Sequence, residues 1–180
     1  SPSVCPFAVN DIILCQQVNP NALVAANAVG GATGVIKKLV YKITAISTVT
    51  CTVANVSADG SSTYDNTHNI AVGDEFVRIG NTDNADRRGV LYLTADDAKA
   101  PFMDIKAGID TYAKWAGTTN TKVRIGHLEG LTSTANEYGL WAGVSSTNYL
   151  KASTEGLEIH ADANTYTSYT GTTIQFHDDG

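Results

Sequence analysis

Short runs rich in Val, Ile, Thr and Tyr alternate along the chain with clusters of Gly, Asn, Asp and Ser. Inside the runs apolar and polar positions alternate with a period near two, and the 3.6-residue period of an amphipathic helix is nearly absent. The pattern predicts an all-β protein with strands near 11–16, 35–46, 49–56, 75–80, 89–94, 102–107, 121–125, 139–142, 149–152, 157–161 and 173–177. Ile109-Asp-Thr-Tyr-Ala-Lys-Trp-Ala116 fits a turn of helix and a strand equally well.

Two internal echoes organise these strands. Phe7-Ala-Val-Asn-Asp11 is answered by Ile70-Ala-Val-Gly-Asp74, and an apolar strand follows each. The shared device is a hydrophobic anchor, an Asn or Gly able to take positive φ, and an Asp to bond the backbone amides that follow. It predicts a small β-barrel over residues 1–80, opened and closed by these two strands. Val77-Arg-Ile-Gly-Asn81 recurs as Val123-Arg-Ile-Gly-His127, with Arg78 and Arg124 on the face opposite their Val and Ile neighbours. This predicts a second β unit over 81–152.

Residues 18–34 are loaded with Asn, Ala and Gly and read as a long loop or arm whose apolar residues a neighbouring copy could cover. Residues 153–180 turn Thr-, Tyr- and Asp-rich and read as an extended polar β segment, suited to a fibre or rim where three chains share a thin core. The chain starts without Met and ends on Phe176-His-Asp-Asp-Gly180, and is read as a piece of a longer polypeptide.

Composition narrows the partners. At 180 residues and 43% hydrophobic content there is enough apolar material for a core. A net charge of −6 with only 12 Lys and Arg, scattered, offers no basic stripe, so neither nucleic acid nor an anionic membrane surface is expected as a partner. No apolar run reaches the length of a bilayer span, and no membrane insertion is expected. Cys5, Cys15 and Cys51 hold no CxxC pair. The three read as small buried hydrophobes, Cys51 on the apolar face of a strand, with a Cys5–Cys15 bridge open only in an oxidising compartment.

The run Val72-Gly-Asp-Glu-Phe-Val-Arg-Ile-Gly-Asn81, followed by Arg88-Gly-Val-Leu-Tyr-Leu-Thr-Ala-Asp-Asp97 and Ala100-Pro-Phe-Met-Asp-Ile105, resembles tail proteins of Bacteroidota phages and prophages. Thr121-Lys-Val-Arg-Ile-Gly126, Leu128-Glu-Gly-Leu131, Tyr138-Gly-Leu-Trp141 and Asn148-Tyr-Leu-Lys151 continue the likeness in order, and it covers about residues 7–151. The resemblance implies a virion structural protein of the tail tip or tail fibre, of host-specificity type. The arm, Trp141 in place of Tyr, Ala152 in place of Gly, and the tail after Ser153 depart from it.

The most site-like stretch is Val77-Arg-Ile-Gly-Asn-Thr-Asp-Asn-Ala-Asp-Arg-Arg-Gly89. Asn81, Asp83, Asn84 and Asp86 superficially suggest a calcium loop, but the order of acids, the sixth-position Gly and the twelfth-position Glu are all missing, so it reads as a turn. It lacks a phosphate cradle as well. Arg87 and Arg88 read as partners for Asp83, Asp86, Asp96 or Asp97, fixing register at a subunit seam. For glycoside hydrolysis Asp96, Asp97, Asp104, Asp110, Glu129 and Glu137 supply carboxylates, without a spacing that singles out a pair. His68, His127, His160 and His177 stand in no GxSxG or HExxH context and read mostly as surface residues.

Aromatics remain. Tyr112, Trp115, Trp141, Tyr166 and Tyr169 are candidates to stack on a sugar ring, with Trp115 and the Tyr166/Tyr169 pair expected exposed and Tyr138 and Trp141 foremost core. No catalytic residue, metal or cofactor is expected. The reading is a non-enzymatic virion component, homotrimeric, touching other tail proteins and a host surface glycan, in a virion tail or on an extracellular surface. The alternatives are a tail-associated polysaccharide or peptidoglycan hydrolase and a bacterial adhesin or filament subunit.

Overall fold

The computed structural model describes residues 5–18, 36–58, 62–63, 70–95, 97, 99–171 and 173–178. They form strands β1 (Asp11–Val18), β2 (Ile36–Ser47), β3 (Thr50–Asn55), β4 (Ser57–Ala58), β5 (Ser62–Thr63), β6 (Val77–Asn81), β7 (Val90–Thr94), β8 (Phe102–Lys106), β9 (Thr121–His127), β10 (Tyr138–Ser145), β11 (Asn148–Ser153), β12 (Gly156–His160), β13 (Tyr166–Thr170) and β14 (Thr173–His177). A 3₁₀ turn, Ala85–Arg87, and one turn of helix, α1 (Tyr112–Ala116), complete the set. The protein is all-β, and every expected strand is present. The short β4–β5 pair and β13 are additional. No described helix is long and apolar enough to cross a membrane.

The chain divides into two compact units, residues 1–88 with 109–113, and residues 89–108 with 114–180. The first holds an antiparallel sheet ordered β3-β2-β1-β6. β1 is flanked on both sides, and Ile12, Ile13, Leu14 and Cys15 are all buried, as a continuous apolar run in a central strand allows. The strands expected to open and close a barrel, β1 and β6, do pair. No ladder joins β3 to β6 among the described residues, so this is an open sheet where a barrel was expected. The arm expected at 18–34 lies outside the described residues apart from Val18.

Both echo corners adopt one geometry. Asn10 (φ 71°) and Gly73 (φ 95°) take positive φ. Asp11 Oδ2 accepts the Ala8 amide at 2.7 Å, and Asp74 Oδ2 accepts the Ala71 amide at 2.8 Å. The carboxylates reach back three residues, correcting the expectation that they bond the amides ahead. Each also takes a cation, Arg87 for Asp11 and Lys37 for Asp74, both at 2.6 Å.

The disulfide joins Cys5 to Cys51, and Cys15 is free and buried. The buried-hydrophobe reading holds for Cys15 and is corrected for Cys5 and Cys51, as is the Cys5–Cys15 bridge, and the reason is positional. Cys15 sits inside β1 opposite Leu39, where burial pushes its thiol up. The Cys5 amide instead donates to the Thr48 carbonyl at 3.4 Å, in the β2–β3 turn, which brings Cys5 beside the start of β3.

The second unit holds one antiparallel sheet in unbroken sequence order, β7 through β14. The segment read as a polar tail supplies its last three strands.

Candidate functional site: two faces of the second sheet

The site-like loop is held from within the first unit. Asn81 is buried, and its Oδ1 accepts the amides of Asp83 and Asn84 at 2.8 and 2.7 Å while its Nδ2 donates to Asp11 Oδ1 at 2.8 Å. Arg87 grips Asp11 with Nε and Nη2, at 2.8 and 2.6 Å. Burial works against the Asp11 carboxylate, and the bonds from Arg87, Ala8 and Asn81 overcome it, leaving its pKa lowered. Arg88 donates to the carbonyls of Asn81, Thr82 and Asp83 and lies 3.8 Å from Asp110. The arginines therefore pair with Asp11 and Asp110 in place of the expected loop carboxylates, and Asp83 and Asp86 are exposed. Arg78 is half-buried on β6, opposite Ile13. Asp96 and His68 lie outside the described residues.

In the second unit, register sorts every strand into two faces. On one face two rows cross all eight strands without a break. One row is Leu93, Met103, Ile125, Leu140, Ala152, Leu157, Tyr169 and Ile174. The other is Leu91, Ile105, Val123, Ala142, Leu150, Ile159, Thr167 and Phe176. These rows stay in contact with solvent: Leu93 is 77% exposed and Phe176 81%, and Leu91, Ile105, Ile125, Leu150, Leu157, Ile159, Tyr169 and Ile174 are exposed too. Met103, Val123, Leu140, Ala142, Ala152 and Thr167, in the same rows, are half-buried.

The opposite face carries the buried ion pairs and a stack of rings, while Tyr138 lies in line with Leu140 on the apolar face. Asp104 is fully buried and accepts Arg124 Nε at 2.7 Å, Arg124 Nη2 at 2.8 Å and Thr121 Oγ1 at 3.2 Å, with Lys106 Nζ 3.7 Å away. The Arg124 guanidinium also lies 3.8 Å over the Phe102 ring. Lys106 donates to the carbonyls of Trp115 and Gly117, tying down the end of α1. Burial lowers its pKa.

Further along, Lys151 bridges Glu137 at 2.9 Å and Glu158 at 3.0 Å. Burial works to raise the Glu137 carboxyl, and hydrogen bonds from Ser153, Thr132 and Lys151 overcome it. Glu158 is lowered in the same way by Tyr149 and Lys151. Burial opposes the Lys151 charge, and the two glutamates still raise its pKa.

A stack of rings runs over these strands: Trp141 to Tyr149 at 6.2 Å, Tyr149 to His160 at 4.4 Å, His160 to Tyr166 at 4.4 Å and Tyr166 to His177 at 4.1 Å. Gly143 leaves room for it, since a Cβ there would lie 2.6 Å from Tyr149 Cβ and 2.9 Å from the Trp141 ring. Tyr149 is raised by burial and by Glu158, so it remains a donor to that carboxylate.

These placements revise the sugar-stacking candidates. Trp115, expected exposed, is buried with Tyr92 edge-on at 5.5 Å. Tyr166 has both faces occupied by histidines. Tyr169 is exposed on the apolar face and Tyr112 is half-buried in α1; of the two rings read as core, Trp141 is buried and Tyr138 is 43% exposed, at the start of β10. A hollow of about 350 Å³ beside Trp141 is lined also by Thr118, Thr119, Leu131, Val144, Ser145 and Ser146, without a charged side chain among them. Of the expected surface histidines, His127 is buried and stacked on Tyr138 at 4.7 Å.

The described carboxylates considered for hydrolysis each have a hydroxyl or cation partner. Asp97 accepts Tyr92 Oη, Asp104 holds Arg124, Asp110 lies near Arg88, Glu129 pairs with Lys99 and Glu137 with Lys151. No group of three or more metal-ligating side chains forms among the described residues.

The Glu137–Lys151–Glu158 bridge sets an expected pH response. The depressed carboxyls contribute stability that is fully present above their ordinary value of 4.5 and is lost as pH falls through the folded values. The raised Lys151 contributes fully below its ordinary 10.5 and loses that contribution as pH rises through its folded value. Urea midpoints are therefore expected to hold between those limits and fall on the acid side, and Lys151→Met is expected to flatten the acid fall. An unchanged acid limb in that variant refutes the assignment.

No protein family model, curated protein or solved structure matches the chain.

Proposed function

We propose that the chain is a non-enzymatic structural component of a phage tail or tail fibre, a stiff β connector that works inside an assembly. The exposed apolar face carries the reading. Ten of its large apolar or aromatic side chains are 37–81% exposed in two contiguous rows, where a soluble monomer usually exposes such residues singly. A chain that functions alone gains nothing from such a face, whereas a building block needs one. Buried ion pairs and stacked rings on the opposite face support the stiffness. The sequence likeness supports the tail, and the Cys5–Cys51 disulfide supports an extracellular or virion setting. Within this proposal, contact with a host surface glycan falls to the uncharged, hydroxyl-lined hollow beside Trp141.

Peptide mass spectrometry of purified particles from the phage or prophage encoding the chain is expected to find it in the tail fraction. Its absence from particles overturns the reading, as does release of reducing ends from host envelope that a single Asp substitution abolishes.

A further inference from the structure

We infer that the Cys5–Cys51 disulfide is a redox latch. Closed, it fastens a strap, residues 5–7, beside an edge of the first sheet; open, it lets the strap go. The latch stands on the placement of the cysteines and is independent of the tail reading.

The edge arises from unequal strand lengths. β1 pairs with β2 only as far as Ile12 opposite Lys42, whereas β3 follows β2 through Ser47. Residues 43–47 therefore have a strand on one side alone among the described residues. On the other side the chain that leads into β1 runs past them outside any strand. The Asn10 amide ties it to the Ile43 carbonyl at 2.8 Å, and the Cys5 amide ties it to the Thr48 carbonyl at 3.4 Å. The strap thus occupies the side on which a further strand would pair, and an open strand edge invites such pairing.

The two ends of the strap are held by different chemistry. At the β1 end the Ala8 amide bonds Asp11, which Arg87 and Asn81 fix in turn, and none of these bonds involves sulfur. At the far end stand one long hydrogen bond and the disulfide. Breaking the disulfide therefore frees the strap as far as Ala8 and leaves β1 in place.

Burial selects which thiols take part. Cys5 and Cys51 are half-buried, within reach of a small thiol or disulfide. Cys15 is fully buried in β1, and burial together with the Asp74 charge raises its pKa, so it offers no thiolate to compete. Cys51 lies on β3, an edge strand, so the exchange disturbs no central ladder. In closing, one of the two thiolates attacks a sulfur of glutathione disulfide and expels a glutathione thiolate. The other then attacks the protein-side sulfur of the mixed disulfide and expels the second. Two electrons pass from the protein to glutathione, and the two cysteine protons end on the glutathione thiols. Dithiothreitol opens the latch by the reverse exchange, leaving as its own cyclic disulfide.

The full chain is incubated in native buffer with glutathione disulfide or with dithiothreitol, then treated with a maleimide and read by peptide mass spectrometry. The oxidised chain is expected to take no label, and the reduced chain two, on Cys5 and Cys51. On reduction the Cys5 amide is expected to exchange at least about tenfold faster while Ile12 to Cys15 keep their protection, as local opening requires. Chymotrypsin is expected to cut after Phe7 in the reduced chain alone, and glutathione disulfide to restore resistance. Cys51→Ser should behave as the reduced chain under both conditions, and Cys15→Ser should keep the switch. Exchange and cleavage that ignore redox state would make the bond an inert staple and overturn the latch. Loss of protection across β1 on reduction, a label on Cys15, or a disulfide that resists dithiothreitol in the folded chain would overturn it too.

Discussion

Exchanging Asp104 for leucine is expected to cost about 3–5 kcal/mol of folding stability, the range for removing one partner from a buried ion pair. Asp104 is fully buried and is the carboxylate that Arg124 and Lys106 share. Without it, two cations with side chains only 4% and 5% exposed lose their counter-ion. Lys106 has a relief route, because burial already lowers its pKa and it can shed its proton while keeping the carbonyls of Trp115 and Gly117. Arg124 has none, since a guanidinium does not deprotonate in a protein. Its contact with the Phe102 ring, worth about 0.5–2 kcal/mol, offsets only part of the loss. The urea midpoint should fall with the slope unchanged, and Asp104→Leu together with Arg124→Leu should recover most of the loss. A single variant within about 0.5 kcal/mol of wild type, the range of an ordinary surface substitution, rules the account out.

Arg124 also shows what the sequence could carry. Its echo with Arg78 placed it on the face opposite Val123 and Ile125, and the register agrees. The echo could not say which face is buried. In β9 Arg124 is the buried residue and Ile125 the exposed one, whereas in β6 Ile79 is fully buried. Alternation reports two faces, and only the neighbouring strands decide which one meets the core.

The same limit hid the apolar rows. Leu157, Ile159, Ile174 and Phe176 were visible in the sequence, but aligning them with Leu91 and Ile105 requires the register across every strand, including the shifts at Ile105/Lys106 and Gly143/Ser145. β13 was missed because Tyr166-Thr-Ser-Tyr-Thr170 is hydroxyl-bearing on both faces, so it lacks the period-two contrast. The echo corners were legible because positive φ and a following Asp are local chemistry. The Cys5–Cys51 bridge closes over 46 residues, and nothing local marks it.

Gly139→Ala tests the centre of the second sheet with one carbon atom, and is expected to cost about 3 kcal/mol, the upper end for overpacking. Gly139 pairs with Ser153 across β10 and β11. A Cβ there would lie 2.1 Å from the Ala152 carbonyl oxygen and 2.6 Å from Ser153 Cα. Both are backbone atoms, so no rotamer change makes room and the strands must separate. Ser153 Oγ donates to Glu137 at 2.5 Å, and Lys151 lies two residues away on the same strand, so separation also loosens the bridge that holds Glu137. Gly89→Ala is the control, because its nearest neighbour would be the Lys106 carbonyl at an ordinary 3.8 Å. That variant should stay within about 0.5 kcal/mol of wild type. Amide exchange in β10 and β11 should speed up in the Gly139 variant and hold in the Gly89 variant. Equal stability of the two would mean that β10 and β11 do not approach as closely as the sheet requires.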